Sequence, residues 1–317
     1  MKILIGYDGS ECAQGVFRDL RRAGLPQEGE ALVISVADVF QPPPIKEVDQ
    51  IFPMYVPAGV RRAHEHAARA VAQARDLAEE GQAQIAKLFP GWHVRAEACA
   101  DSPAWALIRR AEEWQADLIL VGSQGLASIG GRLILGSVSQ RVLYEARTSV
   151  RVARGRVSVD DLPVRIVIGM DGSLHSRAAL DAVASRVWPR GSEARLVIVL
   201  DTILFLTPGP SEAPFVKWFE VENANDLKSL EQFFEGEAEK LRQAGLSASV
   251  VLKKGNPKYT LIEEAENWKA ESVFLGAKGA RGIDRLLLGS VSATVAARAH
   301  CSVEVIRGRS EAHNNGS

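Results

Sequence analysis

The chain has 317 residues, of which 46% are hydrophobic and 24% charged, a composition typical of a soluble protein long enough for two domains. Its formal net charge of −1 argues against a nucleic acid or an anionic membrane as a partner recognised by bulk electrostatics. No apolar run approaches the roughly 20 residues that span a bilayer, and the sequence enters a strand-like run at once. We therefore expect a cytoplasmic protein without a secretory signal. Cys12, Cys99 and Cys301 show no metal or redox spacing and are expected to be reduced and buried.

Short apolar runs alternate with helical patterns along the first half of the chain. The predicted strands cover residues 2–7, 31–37, 93–99, 117–122 and 149–153. The runs at 2–5 and 117–121 are almost continuously apolar, which is typical of strands covered on both faces. Residues 61–80 contain no Gly or Pro and predict an amphipathic helix. Its apolar face carries Ala67, Ala70, Val71, Ala74, Leu77 and Ala78.

The second half of the chain repeats the first. Lys2–Ser10 returns as Arg165–Ser173, residues 31–36 return as 194–199, 111–116 as 265–270, and 149–152 as 302–305. The helix has a counterpart whose apolar face carries Leu227, Leu230, Phe233, Phe234, Ala238 and Leu241. A tandem duplication of about 150 residues accounts for this pattern. We predict one domain at 1–156, a linker at 157–163, a second domain at 164–308 and a disordered tail at 309–317.

The alternation of strands and helices predicts an α/β fold with two tandem doubly wound domains, each a parallel sheet flanked by helices. In such sheets, ligands bind beyond the carboxyl ends of the strands, near the point where the strand order reverses. The Asp-Gly-Ser turns at Asp8 and Asp171 and the glycine turns at Gly122 and Gly276 directly follow predicted strands. We expect all four turns at that edge, with the carboxylates able to accept hydrogen bonds from an adenine amino group or a ribose hydroxyl.

Each glycine turn is followed by a Gly-Ser pair that begins a new helix. Residues 122–125 precede Gly-Ser at 136–137, and residues 276–279 precede Gly-Ser at 289–290. A glycine turn beside a helix N-terminus places backbone N–H groups around one anionic point, so the pattern predicts a phosphate site in each half. We expect Ser290 to cap its helix, and Ser137 to form a capping box with Gln140.

With these motifs each half resembles a universal stress protein domain, and the whole chain resembles a tandem universal stress protein. The nucleotide motif of that family, G-x2-G-x9-G-[S/T], is met from Gly276 to Ser290, whereas the first half has ten residues instead of nine before Gly136. The resemblance implies five parallel strands per domain. It also implies an intrachain pseudo-dimer, formed by pairing the last strands, 149–153 against 302–306.

The resemblance also implies an ATP site in each domain. In domain 2 it comprises Asp171, Gly172, Ser173, Val199, Leu275, Gly276, Lys278, Gly279, Gly289, Ser290 and Val291. In domain 1, where the longer spacer is expected to weaken binding, it comprises Asp8, Gly9, Ser10, Val36, Val121, Gly122, Gln124, Gly125, Gly136, Ser137 and Val138. Magnesium is expected only through the phosphates of ATP, not through protein side chains.

The leading hypothesis is an ATP-binding regulator or sensor in a stress response, with at most weak ATP hydrolysis. Catalysis is not supported, because His175 and His300 occur in the second half only and no P-loop motif is present. Two alternatives stay open: a nucleotide-free interaction module whose glycines only shape turns, and a slow phosphohydrolase or nucleotidyl transferase. A homodimer, and AMP or cyclic AMP in place of ATP, stay open as well.

Overall fold

A computed structural model describes residues 1–39, 58–123, 135–154, 163–200, 224–278 and 288–308. The first half contains β1 (Lys2–Gly6), α1 (Glu11–Arg21), β2 (Gly29–Ala37), α2 (Ala58–Leu88), β3 (Trp92–Ala100), α3 (Pro103–Trp114), β4 (Leu118–Gly122), α4 (Ser137–Glu145) and β5 (Ser149–Ala153). The second half contains β6 (Arg165–Met170), α5 (Leu174–Ala184), β7 (Glu193–Leu200), α6 (Ala224–Gln243), β8 (Ser247–Lys254), α7 (Pro257–Asn267), β9 (Ser272–Gly276), α8 (Ser290–Arg298) and β10 (Ser302–Ile306).

The described strands form one ten-stranded sheet in the order β3-β2-β1-β4-β5-β10-β9-β6-β7-β8. Every pairing within a half is parallel, which confirms the predicted α/β fold with five parallel strands in each half. The two halves join where β5 and β10 pair antiparallel, with Arg151 opposite Glu304. The junction therefore uses the two strands that the family resemblance indicated.

Helices cover both faces of the sheet because the strand side chains alternate between two hydrophobic layers. On β1, Leu4 points to one layer while Ile3 and Ile5 point to the other. Helices α3, α4, α7 and α8 cover a hydrophobic cluster that runs through both halves. Helices α1 and α2 cover the opposite face of the first half, and α5 and α6 that of the second. The halves thus share one continuous core layer.

The helix predicted at 61–80 extends further at both ends, over Ala58–Leu88. It continues through Gly81, which lies where the helix packs closely on the sheet and a larger residue would not fit. A Cβ there would come within 2.9 Å of a methyl carbon of Val33 and 3.2 Å of the Tyr7 ring. Its counterpart α6 buries Phe234, Ala238 and Leu241 as predicted. Phe233 departs from the prediction: it is 39% exposed, and the Arg177 guanidinium lies 5.5 Å from its ring centre.

The prediction of three buried thiols is correct for Cys301 and wrong for the other two cysteines. Cys12 and Cys99 are only half-buried, because Cys12 lies in the first turn of α1 and Cys99 lies in β3, the outermost strand of its half. Burial raises the pKa of the Cys301 thiol to about 12. No helix in the described ranges is both long and apolar enough to cross a membrane. The predicted tail, and the linker except Pro163, lie outside the described residues.

Candidate functional site

The candidate site lies at the carboxyl edge of the sheet, where the strand order reverses between β1 and β4. Ile5 lies beside Leu120 in these parallel strands, so the turn after β1 and the turn at Gly122 meet at one edge. The second half repeats the arrangement between β6 and β9, where Ile168 lies beside Phe274. The structure thus places the Asp-Gly-Ser turn of each half at the same edge as Gly122 or Gly276, the glycine that begins the glycine turn of that half.

The Asp-Gly-Ser turn holds a half-buried carboxylate at this edge and also begins a helix. Asp8 accepts a 3.0 Å hydrogen bond at Oδ1 from the backbone N–H of Ser10, whose own Oγ accepts a 3.1 Å bond from the N–H of Ala13. Gly9 between them has a φ of +75°, a left-handed conformation that glycine adopts without strain. The second half has the same bonds, Ser173 N–H to Asp171 Oδ1 at 3.0 Å and Ser176 N–H to Ser173 Oγ at 3.1 Å, with Gly172 at +74°.

The second helix of each site is anchored to the end of the neighbouring strand by a serine that the sequence analysis missed. Ser292 Oγ donates a 2.6 Å hydrogen bond to the carbonyl of Gly276, and Ser139 Oγ donates a 2.5 Å bond to the carbonyl of Gly122. A backbone bond of 2.7 Å from Gly289 N–H to the carbonyl of Ala277 reinforces the link. The available signal was the second serine of Gly-Ser-Val-Ser, which recurs in both halves.

The prediction of serine caps at these two helices is wrong. Gly136 and Gly289 are the N-cap residues, and Ser137 and Ser290 are the first residues inside α4 and α8. The capping box predicted for Ser137 and Gln140 does not form, because the N-cap position, with its extended backbone (φ −64°, ψ 158°), is occupied by Gly136, which has no side-chain acceptor. In the described part of the chain, the N-cap residues therefore leave the first backbone N–H groups of α4 and α8 without a side-chain cap.

The glycines that end β4 and β9 serve the packing of the protein itself. A Cβ on Gly276 would lie 2.5 Å from the carbonyl carbon of His175, and a Cβ on Gly122 would lie 3.2 Å from the carbonyl oxygen of Cys12. The sequence places Gly276 in the turn predicted to bind phosphate, which suggests that a ligand needs the space at this glycine. The structure corrects that reason, because the first turn of α5 occupies the space above this glycine.

His175 shares its surroundings with two predicted site residues of domain 2. Burial and the positive charge of Lys278 lower the pKa of His175, while the nearby charge of Asp171 raises it less strongly. From the sequence, His175 is expected to have no catalytic role, because the first half has no matching histidine. The missed signal was its position in the helix, two residues after Ser173. Cys12 has the same position after Ser10, so the two candidate sites differ in chemistry here.

The apolar residues of the two predicted sites lie in or against the hydrophobic layer that both halves share. Val36, Val138, Val199 and Val291 are partly buried against the core layer that both halves share, and Val121 and Leu275 belong to that layer. The parallel register pairs Gly6 with Ile34, so Asp8 and Val36 each follow that pair by two residues along the chain. Of the predicted site residues, Gln124, Gly125 and Gly279 lie outside the described residues. Within the described ranges, no three His, Cys, Asp or Glu side chains cluster as a metal site.

These features define the class of the protein: a tandem α/β chain whose duplicated halves each present an Asp-Gly-Ser turn, a glycine turn and a helix N-terminus at the switch point. The model of the Universal stress protein family matches the chain twice, over residues 1–154 and 164–307. The chain therefore belongs to the universal stress protein family, as its motifs suggested.

Related proteins match over most of the chain. A universal stress protein of Mycolicibacterium smegmatis is 30% identical over 241 residues, which cover 74% of this chain and 77% of the relative. One from Mycobacterium tuberculosis strain H37Rv is 27% identical over 308 residues, 96% of each chain. The crystal structure of a universal stress protein from Archaeoglobus fulgidus aligns with a TM-score of 0.64 at 21% identity, over 97% of this chain and 98% of that one. This last similarity is one of fold.

Proposed function

We propose that this protein is a regulator that binds adenine nucleotide, preferentially ATP, at the carboxyl edge of each half. One observation carries the proposal. At each switch point, a helix without a side-chain cap from its N-cap residue is anchored beside a glycine turn and a half-buried carboxylate. A helix N-terminus attracts phosphate through its exposed N–H groups and its dipole, and a carboxylate selects hydroxyl or amino donors.

In domain 2 the proposed roles follow from these positions. The backbone N–H groups of Ser290 and Val291 and the ammonium of Lys278 would contact the phosphates. Asp171 would accept hydrogen bonds from the ribose or the adenine amino group, and Val199 would supply an apolar surface beside it. Gly279, outside the described residues, belongs to the same turn in sequence. Magnesium would be held by the phosphates, since this donor set is built for an anion.

Domain 1 has the same arrangement of turns and helices at its carboxyl edge, but its glycine turn carries less positive charge. The residue equivalent to Lys278 is Gln124, which carries no charge, and the spacer before Gly136 is one residue longer. Both differences favour tighter binding in domain 2. We therefore propose a stronger site in domain 2 and a weaker one in domain 1.

The hydroxyl groups at this edge favour a regulator over an enzyme. Ser10 and Ser173 accept hydrogen bonds as helix caps, and Ser139 and Ser292 donate to strand carbonyls. These four serines are thus engaged in holding the fold. Hydrolysis, if it occurs, would depend on a water molecule and the phosphate-bound magnesium and would be slow.

A nucleotide-free interaction module is the second candidate function. It is favoured by the contact between Gly276 and His175, which explains this glycine without any ligand. The two functions differ in what the purified protein carries and binds. Under the second function, the denatured protein would release no nucleotide and titration with ATP would give no heat.

The test measures nucleotide content and affinity in the full-length protein. Adenine nucleotide should be recovered near stoichiometrically when the protein is denatured and the supernatant is chromatographed. In calorimetry, Gly136→Val should leave only the domain 2 site and Gly289→Val only the domain 1 site, because a branched side chain at the N-cap blocks approach to the backbone. Gly236→Ala, in the open middle of α6, is the control. Undiminished ATP binding in the double variant Gly136→Val/Gly289→Val would disprove the proposed site. AMP and cyclic AMP tested as competitors define the ligand class.

A further inference from the structure

A buried ion pair lies at the centre of the junction between the two halves. Arg151 of β5 and Glu304 of β10 are both 0% exposed, and Arg151 Nη1 donates a 3.2 Å hydrogen bond to Glu304 Oε2. The two residues occupy the same position in the repeat, Ser-Val-Arg-Val in the first half and Ser-Val-Glu-Val in the second. Copies of one ancestral segment thus carry opposite charges at this position.

The register of the strands places this position at the centre of the junction. Val150 lies opposite Val305, Glu304 opposite Arg151, and Val303 opposite Val152. The pseudo-twofold axis that relates the halves therefore passes between Arg151 and Glu304. If two first halves paired through the same strand, residue 151 would face its own copy, and if two second halves paired, residue 304 would do so.

The buried charges of Arg151 and Glu304 have partners within their own halves and further partners across the junction. Arg151 forms a two-pronged pair with Asp19 of its own half at 2.6 and 2.8 Å, and Glu304 pairs with Arg186 of its own half. Across the junction, Arg151 also donates to Ser272 Oγ at 2.8 Å, and Arg186 donates to the carbonyl of Ala23 at 2.8 Å. Burial opposes the charge of Arg151, but Asp19 and Glu304 outweigh burial and raise its pKa.

A pair of identical halves would lose the contacts that cross the junction. Two Arg151 guanidinium groups would face each other with donors only, and the position equivalent to Ser272 in the first half is Leu118, which has no acceptor. Two Glu304 carboxylates would face each other with acceptors only. Each Arg151 would keep Asp19 and each Glu304 would keep Arg186, but a like charge would replace the opposite charge across the junction. Because buried like charges in contact are strongly destabilising, we expect unlike halves to be preferred by roughly 100-fold or more.

We propose that the Arg151–Glu304 pair determines pairing specificity, so that the last strand of the first half accepts a partner domain with an acidic residue at the central position and rejects a second first half. The duplicated halves are then bound to each other by charge as well as by the linker. The β5 edge is selective for one class of domain, and the β10 edge for the complementary class. This inference is independent of nucleotide binding.

The test uses full-length chains with two different affinity tags. Arg151→Glu places two acidic residues at the junction, and Glu304→Arg places two basic ones. When the two variants are coexpressed, the first half of each chain matches the second half of the other. Co-purification of the two tags should then be at least about 10-fold greater than when either variant is coexpressed with itself. No enrichment in the complementary mixture would overturn the proposal.

The unfolding temperature provides a second measurement, for the case in which a single variant aggregates and cannot be co-purified. The double variant Arg151→Glu/Glu304→Arg restores an opposite pair within one chain, so it should unfold at a higher temperature than either single variant. A double variant no more stable than the more stable single variant would also overturn the proposal. The control is another ion pair between the halves, Arg22–Glu271, which lies off the axis with Glu271 32% exposed. Coexpression of Arg22→Glu with Glu271→Arg should give no comparable enrichment of mixed chains.

Discussion

The hydroxyl of Ser292 lies 2.6 Å from the carbonyl oxygen of Gly276 and donates a hydrogen bond to it, which ties the first turn of α8 to the end of β9. Ser139 and Gly122 repeat this bond in the first half at 2.5 Å. Since α4 and α8 have glycine N-caps without a side-chain acceptor, this bond from the third helical residue holds the start of each helix in place. The candidate phosphate site therefore depends on a residue that need not contact the ligand.

We predict that Ser292→Ala lowers both stability and nucleotide affinity in domain 2. The substitution leaves the buried carbonyl of Gly276 without its donor, at a cost of about 1 to 3 kcal/mol in unfolding free energy. Urea unfolding and ATP calorimetry, with domain 1 disabled by Gly136→Val, would measure the two effects. Thr294→Ala is the matched control, because Thr294 bonds to the carbonyl of Ser290 within the same helix. Equal stability of the two variants would contradict the anchoring role.

We predict that alanine at three glycines gives three different results. Gly276→Ala should destabilise the protein by roughly 1 to 3 kcal/mol, because the new Cβ meets backbone atoms of His175 at 2.5 Å. Gly122→Ala should cost less, since the nearest backbone atom lies 3.2 Å away. Gly236→Ala should stabilise the protein by about 0.5 to 1 kcal/mol, because this helical position has open space around it. Thermal unfolding would give the order, and a reversed order of the first two would refute the packing explanation.

We predict that His175 makes the folded protein less stable as the pH falls below the ordinary histidine value of 6.5. Burial and Lys278 lower the pKa of His175 in the folded chain. Between 6.5 and that lowered pKa, the unfolded chain binds a proton that the folded chain does not, so the unfolding free energy decreases in this window.

The His175→Gln variant should have a flatter stability profile between neutral and mildly acidic pH than the wild type. Urea unfolding at a series of pH values would measure it. His66→Gln, at an exposed position of α2, serves as the comparison and should follow the wild-type profile. If both variants have the wild-type slope, His175 does not contribute as its surroundings indicate.

We predict that the two nucleotide sites differ in affinity, with domain 2 the tighter. The extra residue before Gly136 can displace the chain by up to roughly 3.5 Å, which is more than the length of a hydrogen bond near about 2.9 Å. Losing two phosphate hydrogen bonds at about 1.5 kcal/mol each would weaken binding by roughly 100-fold. ATP titrations of Gly136→Val and Gly289→Val compare the sites directly. Equal or tighter binding by the protein that retains only domain 1 would disprove the spacer argument.

Much of the fold could be predicted because it rests on local patterns that occur twice. The apolar runs around Leu4 and Ile119 are continuous, as strands covered on both faces require, and the alternation with helices leads to parallel sheets. The Asp-Gly-Ser and glycine turns follow such strands directly, so their edge was predictable too. These inferences depend on neighbours in sequence and needed no knowledge of which helix packs on which strand.

The errors concern positions whose role depends on an element far away in sequence. Gly81 does not end its helix, because a close contact with Val33 makes a small residue favourable there. The Ser137–Gln140 pattern fits a capping box, yet the N-cap residue of the helix is Gly136, one residue earlier. Gly276 belongs to the turn predicted to bind phosphate, yet the backbone of His175 packs against it. Tertiary packing explains Gly81 and Gly276, whereas at Ser137 the preceding glycine takes the N-cap position.

By itself the sequence determined a duplicated α/β chain of the universal stress protein family, because strand and helix periodicity and turn chemistry are written in consecutive residues. It also showed that an arginine and a glutamate occupy equivalent positions in the repeats. Only the tertiary structure decided that Arg151 and Glu304 face each other. These residues are 153 positions apart in sequence, and they meet only through the antiparallel register of β5 and β10. The two opposite charges can pair because the folded protein places these equivalent positions opposite each other.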